Sequence, residues 1–198
     1  IQHRAGRTLS ADDVKDADSL LVRSVTQVNE VLLQNSSIKF VGSATIGTDH
    51  LDIAALEQHG IQWSNAAGCN AQAVAEYVIT ALLQVRPELL DANATFTLGI
   101  VGLGNVGTRL VYMAKLLGWR VIGYDPLVKR EQVDQVEFHE LLQQADAISI
   151  HVPLTTTGAY PTYHLFNAAA LAQMQPDAIL INSARGPVIE EAALIQDI

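Results

Sequence analysis

"TLGIVGLGNVGTRLVYMAKLLGWRVIGYD", residues 97–125, decides the fold. An apolar β-rich run ends at Gly102. Gly104 and Gly107 follow, and helical spacing begins. In a G-x-G-x-x-G turn the first glycine permits a tight bend. The second lets a diphosphate approach the backbone, and the third lets the new helix pack on the strand. Free N–H groups at the start of that helix, with the helix dipole behind them, attract phosphate charge. Val106, Leu110, Val111, Ala114 and Leu117 give the helix one apolar face, and Gly118 stops it. A second β-rich run closes on Asp125, 21 residues after Gly104. A carboxylate at about that distance accepts from ribose hydroxyls and repels a 2′-phosphate. The stretch therefore predicts a dinucleotide turn with NAD preferred over NADP. Gly102, Gly104, Asn105, Val106, Gly107 and Asp125 are its cofactor-binding candidates.

Outward from this stretch, strands alternate with helices. Toward the C-terminus the pattern predicts a helix near 137–145, a strand at 147–152, a helix near 167–173 and a strand at 178–182. Toward the N-terminus it predicts strands at 19–23, 38–42 and 61–65, with helices at 29–35 and 52–60. Asn29 is placed to cap the first helix and Gly60 to stop the second. A longer helix over 71–85 carries Val74, Tyr77, Val78, Ala81, Leu82 and Val85 as its apolar face, with Asn70 as its cap and Pro87 as its end. Such alternation implies parallel sheets covered on both faces. The polar connection over 86–96 suggests two α/β units, 1–90 and 91–198.

The bulk numbers narrow the chemistry. Of 198 residues, 49% are apolar and 17% charged, and the net charge is −9. That balance fits a folded domain and disfavours nonspecific nucleic-acid or anionic-membrane binding. No apolar run reaches the ~18 residues that span a bilayer. Cys69 is the single cysteine, which excludes an internal disulfide and points to a reducing cytoplasm. It reads as a small buried filler. No cluster has metal-ligand spacing. The first residues, "IQHRAGRTLSADDV", have no starting Met and no basic-then-apolar leader. The expectation is a piece of a longer chain without a signal peptide.

One more stretch calls for a chemical role. "ILINSARGPVIEE", residues 179–191, runs from an apolar strand into Arg185. A guanidinium at a strand end is suited to a carboxylate or a carbonyl.

Taken together, "GIVGLGNVG", "HVPLT" (151–155) and "INSARGPVI" (181–189) resemble the D-isomer-specific 2-hydroxyacid dehydrogenases. "LVRSVTQVNEVLL", "IKFVGSATIGTDHLD" and "AAGCNAQAVAEYV" narrow the resemblance to members that act on a small phosphorylated hydroxyacid in vitamin B6 synthesis. The resemblance implies a Rossmann-type doubly wound parallel sheet plus a second, flavodoxin-like α/β substrate domain, here incomplete. It implies NAD as cofactor and a homodimer in the full-length protein. It gives Arg185 the catalytic role of holding the substrate carboxylate and polarising the C2 oxygen. Ser24 and Thr45, with Arg23, would bind the substrate's phosphate or carboxylate. Val152, Pro153 and Thr155 would border the nicotinamide, and Ser183, Ala184 and Arg185 would complete the cofactor side. The family's Glu and His are expected beyond Ile198. His50, His139, His151 and His164 lack the family's catalytic position and read as structural. The alternatives are another hydroxyacid specificity within the family, or a non-catalytic NAD-binding regulator on the same fold.

Overall fold

The computed structural model describes residues 1–91 and 94–197. Residues 92 and 93, inside the expected 86–96 connection, and Ile198 lie outside the described residues. The chain forms two compact units, residues 1–69 and 70–198.

The first unit begins with α1 (Ala11–Val14) and continues through β1 (Ser19–Val22), α2 (Glu30–Leu33), β2 (Phe40–Ser43), α3 (Ile53–Gln58) and β3 (Gln62–Asn65). The three strands are parallel in the order β1-β2-β3. Asn29 and Asp52 cap α2 and α3 by accepting the N–H of Leu32 and of Ala55. Those bonds satisfy donors that the helices leave orphaned. Gly60 turns out of α3 with φ of +65°. Val22, Leu32, Leu33, Val41, Leu51, Leu56 and Ile61 form this unit's core.

The second unit contains α4 (Ala71–Val85), β4 (Thr97–Val101), α5 (Asn105–Leu116), β5 (Arg120–Tyr124) and β6 (Asp134–Gln135). It goes on to α6 (Phe138–Gln144), β7 (Ala147–Ile150), α7 (Ala168–Leu171), β8 (Ile179–Asn182) and α8 (Glu191–Asp197). All five strands are parallel, in the order β6-β5-β4-β7-β8. The order runs outward in both directions from β4, which is the signature of a doubly wound sheet. Every residue of β4 and β7 is buried, as parallel strands covered on both faces require.

Five expectations are corrected. The division falls at 69/70 rather than near 90, because Ala75, Val78, Ile79 and Leu82 of α4 share one core with Leu98, Ile100 and Leu110. Trp119 adds to this by donating its ring N–H to the Leu89 carbonyl at 3.2 Å. The buried face of α4 is Ala71, Ala75, Val78, Ile79 and Leu82, while Tyr77 and Val85 are exposed. The helix is apolar on two adjacent stripes, so spacing alone could not choose between them. Similarly, Leu117 at the end of α5 is exposed, and Trp119 takes the buried position. Asn70 precedes α4 without a side-chain cap bond, and Cys69 is exposed rather than buried.

Candidate dinucleotide site

The sheet order changes direction between β4 and β7, and the segments leaving these strands meet there. Gly102 has φ of +94°, and a Cβ on it would stand 2.7 Å from the His151 carbonyl oxygen. Only glycine combines that backbone with that approach. A Cβ on Gly107 would stand 2.0 Å from the Gly102 carbonyl oxygen, so the helix and the turn touch backbone to backbone. Gly104 is the opposite case. A Cβ there would meet nothing within 4 Å, so the turn is open on that side. Among the described residues no side chain caps α5, which leaves its first N–H groups for an incoming acceptor. Two glycines close the turn, one opens it, and the helix start supplies donors. A diphosphate fits this arrangement.

Leu103, between these glycines, is held on three sides. Its side chain is fully buried. Its N–H donates to Asp125 Oδ2 at 2.8 Å. Its carbonyl accepts from Thr108 Oγ1 at 3.0 Å and from Arg130 Nε at 3.2 Å. Asp125 also accepts, through Oδ1, the N–H groups of Leu127 and Val128 at 2.9 and 3.0 Å. That fills three of a carboxylate's roughly four acceptor positions. The carboxylate thus builds the turn.

On the other side of β4, His151 leaves β7 between two hydroxyls. Its Nε2 lies 2.8 Å from Ser149 Oγ and its Nδ1 3.1 Å from Ser183 Oγ. Burial holds its pKa down to about 4, so the ring is neutral at physiological pH. It ties the end of β7 to the end of β8, where Ala184 and Arg185 begin. Val152 packs close to Gly102. Pro153 and Thr155 follow on the same segment. Thr155 and Thr162 exchange N–H to hydroxyl bonds of 2.8 and 3.0 Å, which pin the base of the intervening loop. Arg185 extends one N–H to the Ala184 carbonyl at 3.1 Å, and Asn182 Nδ2 donates to the Arg185 carbonyl at 2.9 Å.

All the candidates of this unit therefore leave the C-terminal edge of one sheet, the edge at which doubly wound sheets bind ligands. In the first unit, Arg23 and Ser24 follow β1 and are exposed. Thr45 follows the neighbouring β2, its hydroxyl 2.8 Å from Ser43 Oγ and donating to the Gly47 carbonyl at 3.1 Å. His50 is buried against Ser43, His139 is exposed on α6, and His164 stacks on Tyr163. Sequence reasoning missed the Ser149–His151–Ser183 chain, although Ser149 and His151 share a strand face by alternation. It also missed the grip of Arg130 on Leu103, for which no local pattern exists.

Residues 84–198 match the NAD binding domain of the D-isomer specific 2-hydroxyacid dehydrogenases. The chain belongs to this family. It is 69% identical over all 198 residues to an erythronate-4-phosphate dehydrogenase of Acinetobacter baumannii, and it covers 56% of that protein. The chain thus spans about half the length of the curated relatives it matches. Among solved structures, D-lactate dehydrogenase of Aquifex aeolicus, complexed with NAD and lactic acid, is 25% identical with a TM-score of 0.77. That match covers 96% of this chain and 63% of the other. An acyclic imino acid reductase in complex with NADPH and D-Arg is 26% identical with a TM-score of 0.79, covering 94% of this chain and 66% of the other. The family gives NAD as the cofactor, and the turn geometry fits a dinucleotide's diphosphate.

Proposed function

We propose that this chain contributes the cofactor unit and part of the substrate unit to oxidation of 4-phospho-D-erythronate. The product is 2-oxo-3-hydroxy-4-phosphobutanoate, and the reaction belongs to pyridoxine biosynthesis. The observation that carries this reading is 69% identity running through both units to a relative of that name. NAD supplies a hydride acceptor for C2. Gly102, Gly104 and Gly107 with the start of α5 hold its diphosphate, and Asp125 takes the adenosine ribose and disfavours a 2′-phosphate. Val152, Pro153, Thr155, Ser183 and Ala184 border the nicotinamide.

Arg185 holds the substrate carboxylate through its guanidinium fork and stabilises charge building on the C2 oxygen. The hydroxyl proton passes to a general base, the role that the resemblance gives to a His beyond residue 198. Arg23, Ser24 and Thr45 bind the substrate's phosphate or carboxylate. Their position at a parallel strand edge, rich in backbone donors, supports that role. The exposed Tyr77, Val85, Tyr112 and Leu116 on α4 and α5 support the expected homodimer. The single cysteine supports a cytoplasmic setting.

Turnover of 4-phospho-D-erythronate and of D-3-phosphoglycerate by the intact protein, each with NAD, tests the assignment. A clear kcat/KM preference for the four-carbon acid is expected. Equal or reversed preference would transfer the protein to another specificity within the family.

A further inference from the structure

We propose that Arg130 is a positioning residue for the dinucleotide turn: by donating Nε to the Leu103 carbonyl while Asp125 takes the Leu103 N–H, it fixes the backbone that receives the diphosphate. The inference rests on the NAD reading of the turn and extends it to a residue outside the glycine pattern.

The segment after β5 is built to present this guanidinium. Asp125 Oδ1 folds the chain back by accepting from Leu127 and Val128. Gln135, on β6, then braces the return. Its Oε1 accepts the Arg130 N–H at 2.7 Å, and its Nε2 donates to the carbonyls of Val128 and Asp125 at 2.8 and 3.3 Å. Arg130 is thus held at its backbone by the sheet edge and reaches from there to the turn. A braced backbone behind a long side chain reduces the entropy lost in making the contact. The Leu103 carbonyl has two lone pairs, and Thr108 and Arg130 use both. With the Leu103 side chain buried beneath, the turn has little freedom left to tilt. A turn preset in this way spares part of the ordering cost of binding a dinucleotide.

The rival account is that Arg130 acts as a charge near an anionic cofactor. Side-chain chemistry separates the two. Gln Nε2 is the same number of bonds from the backbone as Arg Nε, so Arg130→Gln keeps the donor and removes the charge. Arg130→Lys keeps the charge and moves the donor one bond further out. Arg130→Met removes both.

The experiment titrates NADH by its fluorescence against wild type and the three variants. In parallel it follows amide hydrogen exchange over residues 102–107 without cofactor. Positioning predicts NADH binding weakened about fivefold in R130M, the scale of one hydrogen bond. R130Q should restore binding to within about twofold of wild type on the same scale, and R130K should fall between. Exchange at the Leu103 amide should quicken in R130M and be restored in R130Q. Recovery in R130K but not in R130Q would assign the residue to charge and overturn the proposal. So would unchanged binding and exchange in R130M. Absence of NADH binding by wild type would defeat the NAD reading instead, and the exchange arm would still decide what Arg130 does to the turn.

Discussion

The two parallel sheets are built to different standards of burial. In the second unit, β4 and β7 are covered completely, and Gly102 after β4 and Gly107 in α5 meet backbone atoms. In the first unit, β1 and β3 are largely exposed, with Leu21 78% accessible. Its central Gly42 faces side chains: a Cβ there would approach the Leu21 Cδ2 at 2.7 Å and the Phe40 ring at 3.2 Å. A backbone neighbour cannot step aside, whereas the end of an exposed leucine can. The second unit is therefore intolerant at the candidate dinucleotide turn, and the first retains slack.

Alanine at two glycines gives the sharpest version of that contrast. Gly107→Ala places a methyl 2.0 Å from the Gly102 carbonyl. It should cost about 3 kcal/mol or more and abolish measurable NADH binding. Gly42→Ala should cost under about 1 kcal/mol, because Leu21 can rotate away into solvent. Urea unfolding of both variants measures the gap, and equal costs would erase the distinction between the sheets.

His151 gives the next largest effect. Its pKa falls from 6.5 to about 4 on folding, through burial. The fold prefers the neutral ring, so the unfolded chain takes up the proton first as pH drops. Its contribution is intact above pH 6.5 and is lost as pH falls toward 4, by up to about 3 kcal/mol. Unfolding at pH 7.5, 5.5 and 4.5 should show wild type losing stability relative to His151→Asn over that interval. Parallel curves would mean that the ring between Ser149 and Ser183 is not held neutral.

Asp125 comes third. Asparagine keeps one acceptor and turns an amide group toward backbone N–H groups that now donate to the carboxylate. NADH binding by Asp125→Asn should weaken about tenfold, from about 1–2 kcal/mol of lost charge-assisted bonding. A larger loss, accompanied by faster amide exchange in the glycine turn, would mean that the turn-building role of Asp125 outweighs the proposed ribose contact.

The pattern of these effects follows what the sequence could reveal. The glycine turn, the alternation of strands and helices, and the placing of Asp125 and Arg185 at strand ends all arise from short-range rules. They were legible residue by residue. The Ser149–His151–Ser183 chain and the Arg130–Leu103 bond join segments that are distant in sequence. Nothing local encodes such pairings. The stripe on α4 was misread for another reason. Two adjacent stripes were apolar enough, and only the packing of Val78 and Leu82 into the core shared with α5 and β4 chose between them. In the first unit, Arg23, Ser24 and Thr45 were singled out by resemblance, since their turns carry no comparably specific signal.

The smallest prediction tests how far a local rule reaches. Asn29 and Asn70 both stand just before helices, and each satisfies the composition rule for a cap. Asn29 is extended, with φ of −133° and ψ of 177°, and its side chain accepts from Leu32 at 3.1 Å. Asn70 has φ of −109° and ψ of 10°, and makes no cap bond. A cap works only when extended backbone aims the side chain back at the N2 or N3 donor, and the geometry of Asn70 does not. Alanine at 29 should therefore cost about 1 kcal/mol. Alanine at 70 should change stability by less than about 0.5 kcal/mol, the range of an ordinary exposed site. The four-residue α2 depends on its cap, while the fifteen-residue α4 draws its stability from the core it shares with α5 and β4. A full cap penalty at 70 would mean that the start of α4 rearranges in solution to use Asn70.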